Sequence, residues 1–142
     1  MLGRARSRVL LVDDEPLVRR LVSGYLKDAG YAVRTAVDGL DALGKLRSSL
    51  PDLIISDLDL PRMSGYEFLN VVRRRFPQIP VVVTSEHAAD KMPEGLAADA
   101  YFQKNGFGLA HLLLTILALA RNPPPRTSSP YAAVTSPGAT QA

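Results

Sequence analysis

Short apolar blocks alternate along the chain with longer stretches in which apolar residues recur every three or four positions. Val9-Leu-Leu-Val12 is the first block, stopped by Asp13-Asp14-Glu15. A short apolar run bounded by polar residues predicts a buried strand. Pro16 stands where a first helical turn accepts proline. Val18, Leu21, Val22, Tyr25, Leu26 and Ala29 then recur at helical spacing, and Gly30 predicts a left-handed cap that ends the helix. Tyr31 to Ala36 is rich in β-formers and predicts a second strand. Asp38 is a candidate N-cap for a second helix, with Leu43, Leu46 and Leu50 on one face and Pro51 as its stop.

The third block, Leu53 to Ile55, leads to Asp57 and is followed by a Pro61-x-x-x-Gly65 turn. Ser64-Gly-Tyr-Glu67 has the form of a capping box and opens a third helix, whose apolar face is Phe68, Leu69, Val72 and Phe76. Pro80-Val-Val-Val-Thr84 predicts a fourth strand ending on the hydroxyls of Thr84 and Ser85. From Glu86 to Asp99 the pattern weakens, because Pro93 and Gly95 interrupt any helix that begins near Ala88. Ala100 to Lys104 predicts a fifth strand ending on a lysine, and Leu109, Leu112, Leu113, Ile116, Leu117 and Ala120 trace a last helix. Strand and helix therefore alternate five times. Right-handed crossovers turn that order into an α/β, doubly wound, five-stranded parallel sheet with helices on both faces.

Composition adds boundaries and exclusions. Residues 8–121 carry the alternation, residues 1–7 form a basic extension, and residues 122–142 are a Pro/Ser/Thr/Ala-rich tail or linker. The last segment has too little apolar surface to offset its ordering entropy. The 142 residues are 46% apolar and contain no cysteine, so disulfides and thiolate metal sites are excluded. No apolar run reaches the roughly 18–20 residues that span a bilayer, so no membrane segment is expected. The net charge of +3 comes largely from the arginines near the N-terminus and from Arg73-Arg74-Arg75. These predict solvated surface rather than direct nucleic-acid binding.

The candidate chemistry lies at the strand ends. Asp13 and Asp14 end the first strand, Asp57 the third, Thr84 the fourth and Lys104 the fifth. In a doubly wound sheet these ends share one rim, where ligands bind. Three carboxylates on one rim repel unless a hard cation sits among them, and oxygen-only ligands suit Mg²⁺. With a lysine and a hydroxyl beside them, the group is suited to stabilising a phosphoryl group in transfer to a carboxylate.

Val12-Asp13-Asp14-Glu15-Pro16, Asp57-Leu-Asp-Leu-Pro61-Arg-Met-Ser-Gly65, Val83-Thr84-Ser85 and Tyr101-Phe-Gln-Lys104 resemble the receiver domain of two-component response regulators, the CheY-like group. The resemblance covers about residues 8–121 and implies a flavodoxin-like strand order 2-1-3-4-5. It further implies that Asp57 is the phosphoacceptor, served by a sensor histidine kinase or phosphotransfer protein. Asp14, Asp57 and the backbone carbonyl of Asp59 would hold Mg²⁺, with Asp13 acting mainly through water. Lys104 would pair with the phosphoryl group, Thr84 would move toward it, and Tyr101 would turn inward as the readout. The chain would signal from the cytoplasm and catalyse only its own phosphorylation and dephosphorylation.

Several positions depart from the family pattern. Asn105 stands where proline usually follows the active-site lysine; a cis bond there costs about 2.5–4 kcal/mol without proline, which favours trans. Ser85 replaces the common alanine, and Ala97 stands where a helix-ending glycine is usual. Two other functions stay open on the sequence. One is a receiver-like interaction module that works without phosphorylation. The other is a haloacid-dehalogenase-like phosphatase, whose D-x-D motif Asp57-Leu-Asp59 also matches, although its further acids normally come later in the chain. Leu114 and Leu119 lie off the stripe of the last helix, on an uncharged face with His111, Thr115 and Ala118 that is expected to serve self-association or target docking.

Overall fold

Strands β1 (Arg8–Val12), β2 (Ala32–Ala36), β3 (Leu53–Asp57), β4 (Val81–Ser85) and β5 (Ala100–Gln103) form one sheet in the order β2-β1-β3-β4-β5. Every neighbouring pair is parallel, as the alternating pattern requires. The computed structural model describes residues 7–86 and 98–104. The expectations for the extension before Ser7, the fourth helix, Ala97, Asn105, the last helix and the tail all lie outside the described residues.

Alternation along each strand divides the core in two. On one face Leu10, Val12, Ile54, Val81, Val83 and Tyr101 meet α2 (Gly39–Ser48) through Ala42 and Leu46, and α3 (Gly65–Arg75) through Phe68, Leu69 and Val72. On the other, Val9, Leu11, Ile55, Val82 and Phe102 meet α1 (Pro16–Asp28) through Val22 and Leu26. Helices thus cover both faces. Among the described residues no helix is long and apolar enough to cross a membrane.

The helix boundaries follow from local chemistry. Pro16 opens α1 after Glu15, and Gly30, at φ 101°, takes the left-handed conformation that releases the chain toward β2. The Asp38 carboxylate accepts the Asp41 amide at 2.8 Å and starts α2. Ser64 and Glu67 exchange side-chain bonds with each other's amides at 3.2 and 3.1 Å, the capping box expected for α3. Two stripes differ from expectation. Leu21 and Tyr25 are 46% and 51% exposed, because the row Val18, Val22, Leu26 rests on the sheet and its neighbours face outward. Leu50 lies beyond the end of α2 and is exposed.

Gly65 brings the start of α3 against the end of β3. A methyl group there would meet the Asp57 carbonyl oxygen and the Leu58 Cα, and the Gly65 amide donates to the Leu58 carbonyl at 3.1 Å. At the far end of the sheet, Arg73 and the Val81 amide both donate to the buried Asp99 carboxylate, at 2.6 and 2.7 Å, tying α3 to the strand edges.

Two glycine substitutions should therefore act in opposite directions. Gly44 is exposed within α2 with open space around it, so Gly44→Ala should stabilise by about 0.5–1 kcal/mol. Gly65→Ala should destabilise by about 1–3 kcal/mol, through overpacking against β3. Urea unfolding measures both, and a Gly65→Ala protein of wild-type stability would refute the close approach.

Candidate functional site

The strand order places the carboxyl ends of β1 and β3 side by side, at the point where the chain switches from one edge of the sheet to the other. Register then aligns the residues. Val12 lies opposite Ser56, so Asp13 and Asp57 leave adjacent strands one step further on, and Asp57 lies opposite Thr84. The Lys104 amide donates to the Ser85 carbonyl at 2.7 Å, which continues the β4–β5 ladder just past the end of β5. Asp13, Asp57, Thr84 and Ser85 are buried, while Asp14 is exposed and opens the group to solvent.

Lys104 bridges the acids. Its Nζ lies 2.9 Å from Asp57 Oδ2, 3.1 Å from Asp13 Oδ2 and 3.3 Å from Glu15 Oε1. The other oxygens are held by backbone: Asp57 Oδ1 accepts the Asp59 amide at 3.0 Å, and Asp13 Oδ1 accepts the Glu15 amide at 2.9 Å. Arg19 donates to the Asp13 carbonyl at 2.7 Å and braces the turn into α1.

Among the described residues Lys104 is the cation that meets these carboxylates, and burial dominates their electrostatics. Burial pushes the Asp57 and Asp13 carboxyls above their ordinary range, although the backbone amides and Lys104 pull them down. Burial alone would weaken the Lys104 ammonium, but its bond to Asp57 and the charges of Asp13 and Asp57 outweigh that, and its pKa is held well above the usual lysine value.

The acids expected to hold a metal do come together. Asp13, Asp14 and Asp57 each offer a carboxylate oxygen within 4.8 Å of the others. An all-oxygen, negatively charged set with one exposed member fits a hard divalent cation such as Mg²⁺. Asp59 lies two residues after Asp57, in the loop that leaves β3, with its amide bonded to the Asp57 carboxylate. Tyr101 is buried in the α2–α3 side of the core. Glu15 was not singled out from the sequence. Its only signal was an acid directly after the pair Asp13-Asp14, where a helix-start residue serves equally well.

Residues 9–105 match the family model of the response regulator receiver domain. The chain is 37% identical over 116 residues to the probable transcriptional regulatory protein TcrX of Mycobacterium tuberculosis, a match covering 80% of this chain and 49% of TcrX. Two solved structures from the same system are also similar. The response regulator TrrA of Thermotoga maritima in complex with Mg(2+)-BeF superposes with a TM-score of 0.71 at 30% identity, covering 80% of this chain and 98% of that one. The complex of histidine kinase ThkA with TrrA gives a TM-score of 0.71 at 32% identity, covering 80% and 97%. The chain spans about half or less of the length of the leading curated relatives it matches.

The raised carboxyls set the sign of a pH effect. Between the unfolded and the higher folded pKa, the folded state binds more protons than the unfolded state. Stability of the ion-free protein therefore falls as pH rises through that interval. With a chelator at neutral pH, Asp13→Asn should raise the melting temperature by roughly 4 °C, the shift that about 1 kcal/mol produces in a domain of this size. The gain should shrink as the pH is lowered until Asp13 is protonated in the wild type. Thermal melts across that range check it, and a gain that grows toward acid would reverse the assignment.

Proposed function

Because the chain belongs to the response regulator receiver domain family, we propose that Asp57 accepts a phosphoryl group from the phosphohistidine of a sensor histidine kinase or phosphotransfer protein, in a Mg²⁺-dependent reaction. The observation that carries this reading is the Lys104 ammonium, 2.9 Å from Asp57 Oδ2 and shared with the acid pair beside it. Capture of TrrA with a histidine kinase supports the partner class.

The chain's own groups have distinct parts in the transfer. Asp57 is fixed at the end of β3, with one carboxylate oxygen oriented by the Asp59 amide. A carboxylate oxygen forms the new bond to phosphorus as the bond from phosphorus to the histidine nitrogen breaks. Lys104 then pairs with a phosphoryl oxygen while remaining within reach of Asp13 and Glu15. Thr84, opposite Asp57 in the β3–β4 register, offers its hydroxyl to a second phosphoryl oxygen. Asp14, Asp57 and the Asp59 carbonyl would hold the ion, with Asp13 through water; bound there, Mg²⁺ supplies the positive charge that offsets the acids and the phosphoryl group. Thr84 and Tyr101, on adjacent strands of the sheet, relay the change of charge as a conformational switch. The chain catalyses only its own phosphorylation and dephosphorylation, and it acts in the cytoplasm, where such kinases present their phosphohistidine. Self-association or target docking through the helix expected at residues 109–120 is the proposed output.

Incubation with acetyl phosphate and Mg²⁺ should add one phosphoryl group, seen by mass spectrometry of the intact protein. Asp57→Asn should remain unlabelled, and chelation should slow labelling of the wild type by at least about tenfold. Equal labelling of Asp57→Asn would exclude Asp57 as the acceptor.

A further inference from the structure

The loop between β3 and α3 carries Asp59, and beyond the bond from the Asp59 amide to Asp57 it is placed by contacts outside the acid cluster. At one end, the Leu58 amide donates to the Thr84 carbonyl and the Gly65 amide to the Leu58 carbonyl, each at 3.1 Å. In the middle the loop leans on a different element, the start of α2. The Gly39 amide donates to the Met63 carbonyl at 3.1 Å, and a methyl group on Gly39 would collide with Met63. Beside this seat, Arg62 Nε donates to Asp38 Oδ2 at 2.6 Å.

Both partners of that pair are unusual. Arg62, at φ 61°, is the one non-glycine residue with positive φ among the described residues. Nothing in an arginine side chain favours that conformation, so it persists only where surroundings impose it. Asp38 is buried, and its second oxygen already caps α2 through the Asp41 amide. The Arg62 guanidinium and that amide hold the Asp38 carboxyl below its ordinary range.

We propose that the Arg62–Asp38 ion pair is a positioning latch: by tying the β3–α3 loop to the cap of α2, it sets where Asp59 presents its carbonyl and so tunes ion binding at the acid cluster. Arg62 and Asp38 act through the loop and touch neither the ion nor the phosphoryl group. The latch deepens the phosphoacceptor reading and rests on it for the identity of the ion.

Two substitutions break the pair while sparing what surrounds it. Arg62→Gly removes the guanidinium and makes the positive φ easy. Asp38→Asn removes the charge but keeps an equally good helix cap. Mg²⁺ affinity is measured by calorimetry, and hydrogen exchange of the Gly39, Asp59 and Gly65 amides by NMR in ion-free protein. Each variant should bind Mg²⁺ about tenfold more weakly, the lower end of the effect of residues that orient metal ligands. Loop amides should exchange faster than the fall in global stability, read from the melting temperature, accounts for, because losing a partner of buried Asp38 also costs some of that stability. The double variant should be no weaker than either single one, because both remove the same interaction. Arg62→Lys, which restores a cation, should recover part of the affinity. Wild-type affinity and exchange in both single variants would overturn the latch while leaving the phosphoacceptor reading intact. A wild-type protein that binds no Mg²⁺ would instead overturn that reading, and the exchange rates alone would then decide whether the pair restrains the loop.

Discussion

The Lys104 ammonium, set between the buried carboxylates of Asp13 and Asp57, is the constraint from which the rest of this molecule follows. Lys104 meets Asp57, Asp13 and Glu15, groups from distant parts of the sequence. The parallel sheet, whose carboxyl ends lie on one rim, brings them within 3.3 Å of the ammonium. Its two faces bury apolar residues from every strand, so a one-residue slip in register would move the apolar sets to the wrong faces. Packing thereby holds the polar rim in place, though none of the packing residues takes part in its chemistry.

The same dependence appears in the loops. Asp57 ends a strand that is buried along its whole length, and past Leu58, whose amide still bonds to the Thr84 carbonyl, the loop to Ser64 leaves the ladder. Its order comes from Gly65, which lets α3 begin against the strand, and from the start of α2, which meets Met63 and Arg62. The loop is held by these bonds and by Leu58, which is buried in the α2–α3 side of the core with Leu60 and Met63 packed beside it.

Much of this was legible in the sequence, and the reason is local. Apolar period, proline and glycine stops, Asp38 as a cap and the Ser64–Glu67 box are each written within a few residues, and each stands in the structure. Strand ends were equally legible, which is why Asp13, Asp57, Thr84 and Lys104 could be named together. What escaped was relational. Periodicity marks the apolar side of α1 but not how narrow an arc the sheet covers, so Leu21 and Tyr25 were assigned to a face they do not share. Glu15 reads as a helix-start acid until Lys104 is seen beside it. The pairing of Arg62 with Asp38 joins two loops 24 residues apart, and no local signal announces it.

The acid rim is the part of the structure least explained by stability. Raised Asp13 and Asp57 carboxyls mean that burial at the folded, ion-free rim works against their charged forms. An apolar rim of the same shape would be the more stable solution. The core on both faces is extensive enough to tolerate that deficit, and a rim with surplus negative charge responds strongly to any cation that enters it. Replacing the charge on Asp57 by a bulkier, more negative group would redirect Lys104 and with it the end of β5, to which the Lys104 amide is joined through Ser85. The electrostatic cost retained at the rim therefore makes its geometry depend on whatever charge enters it.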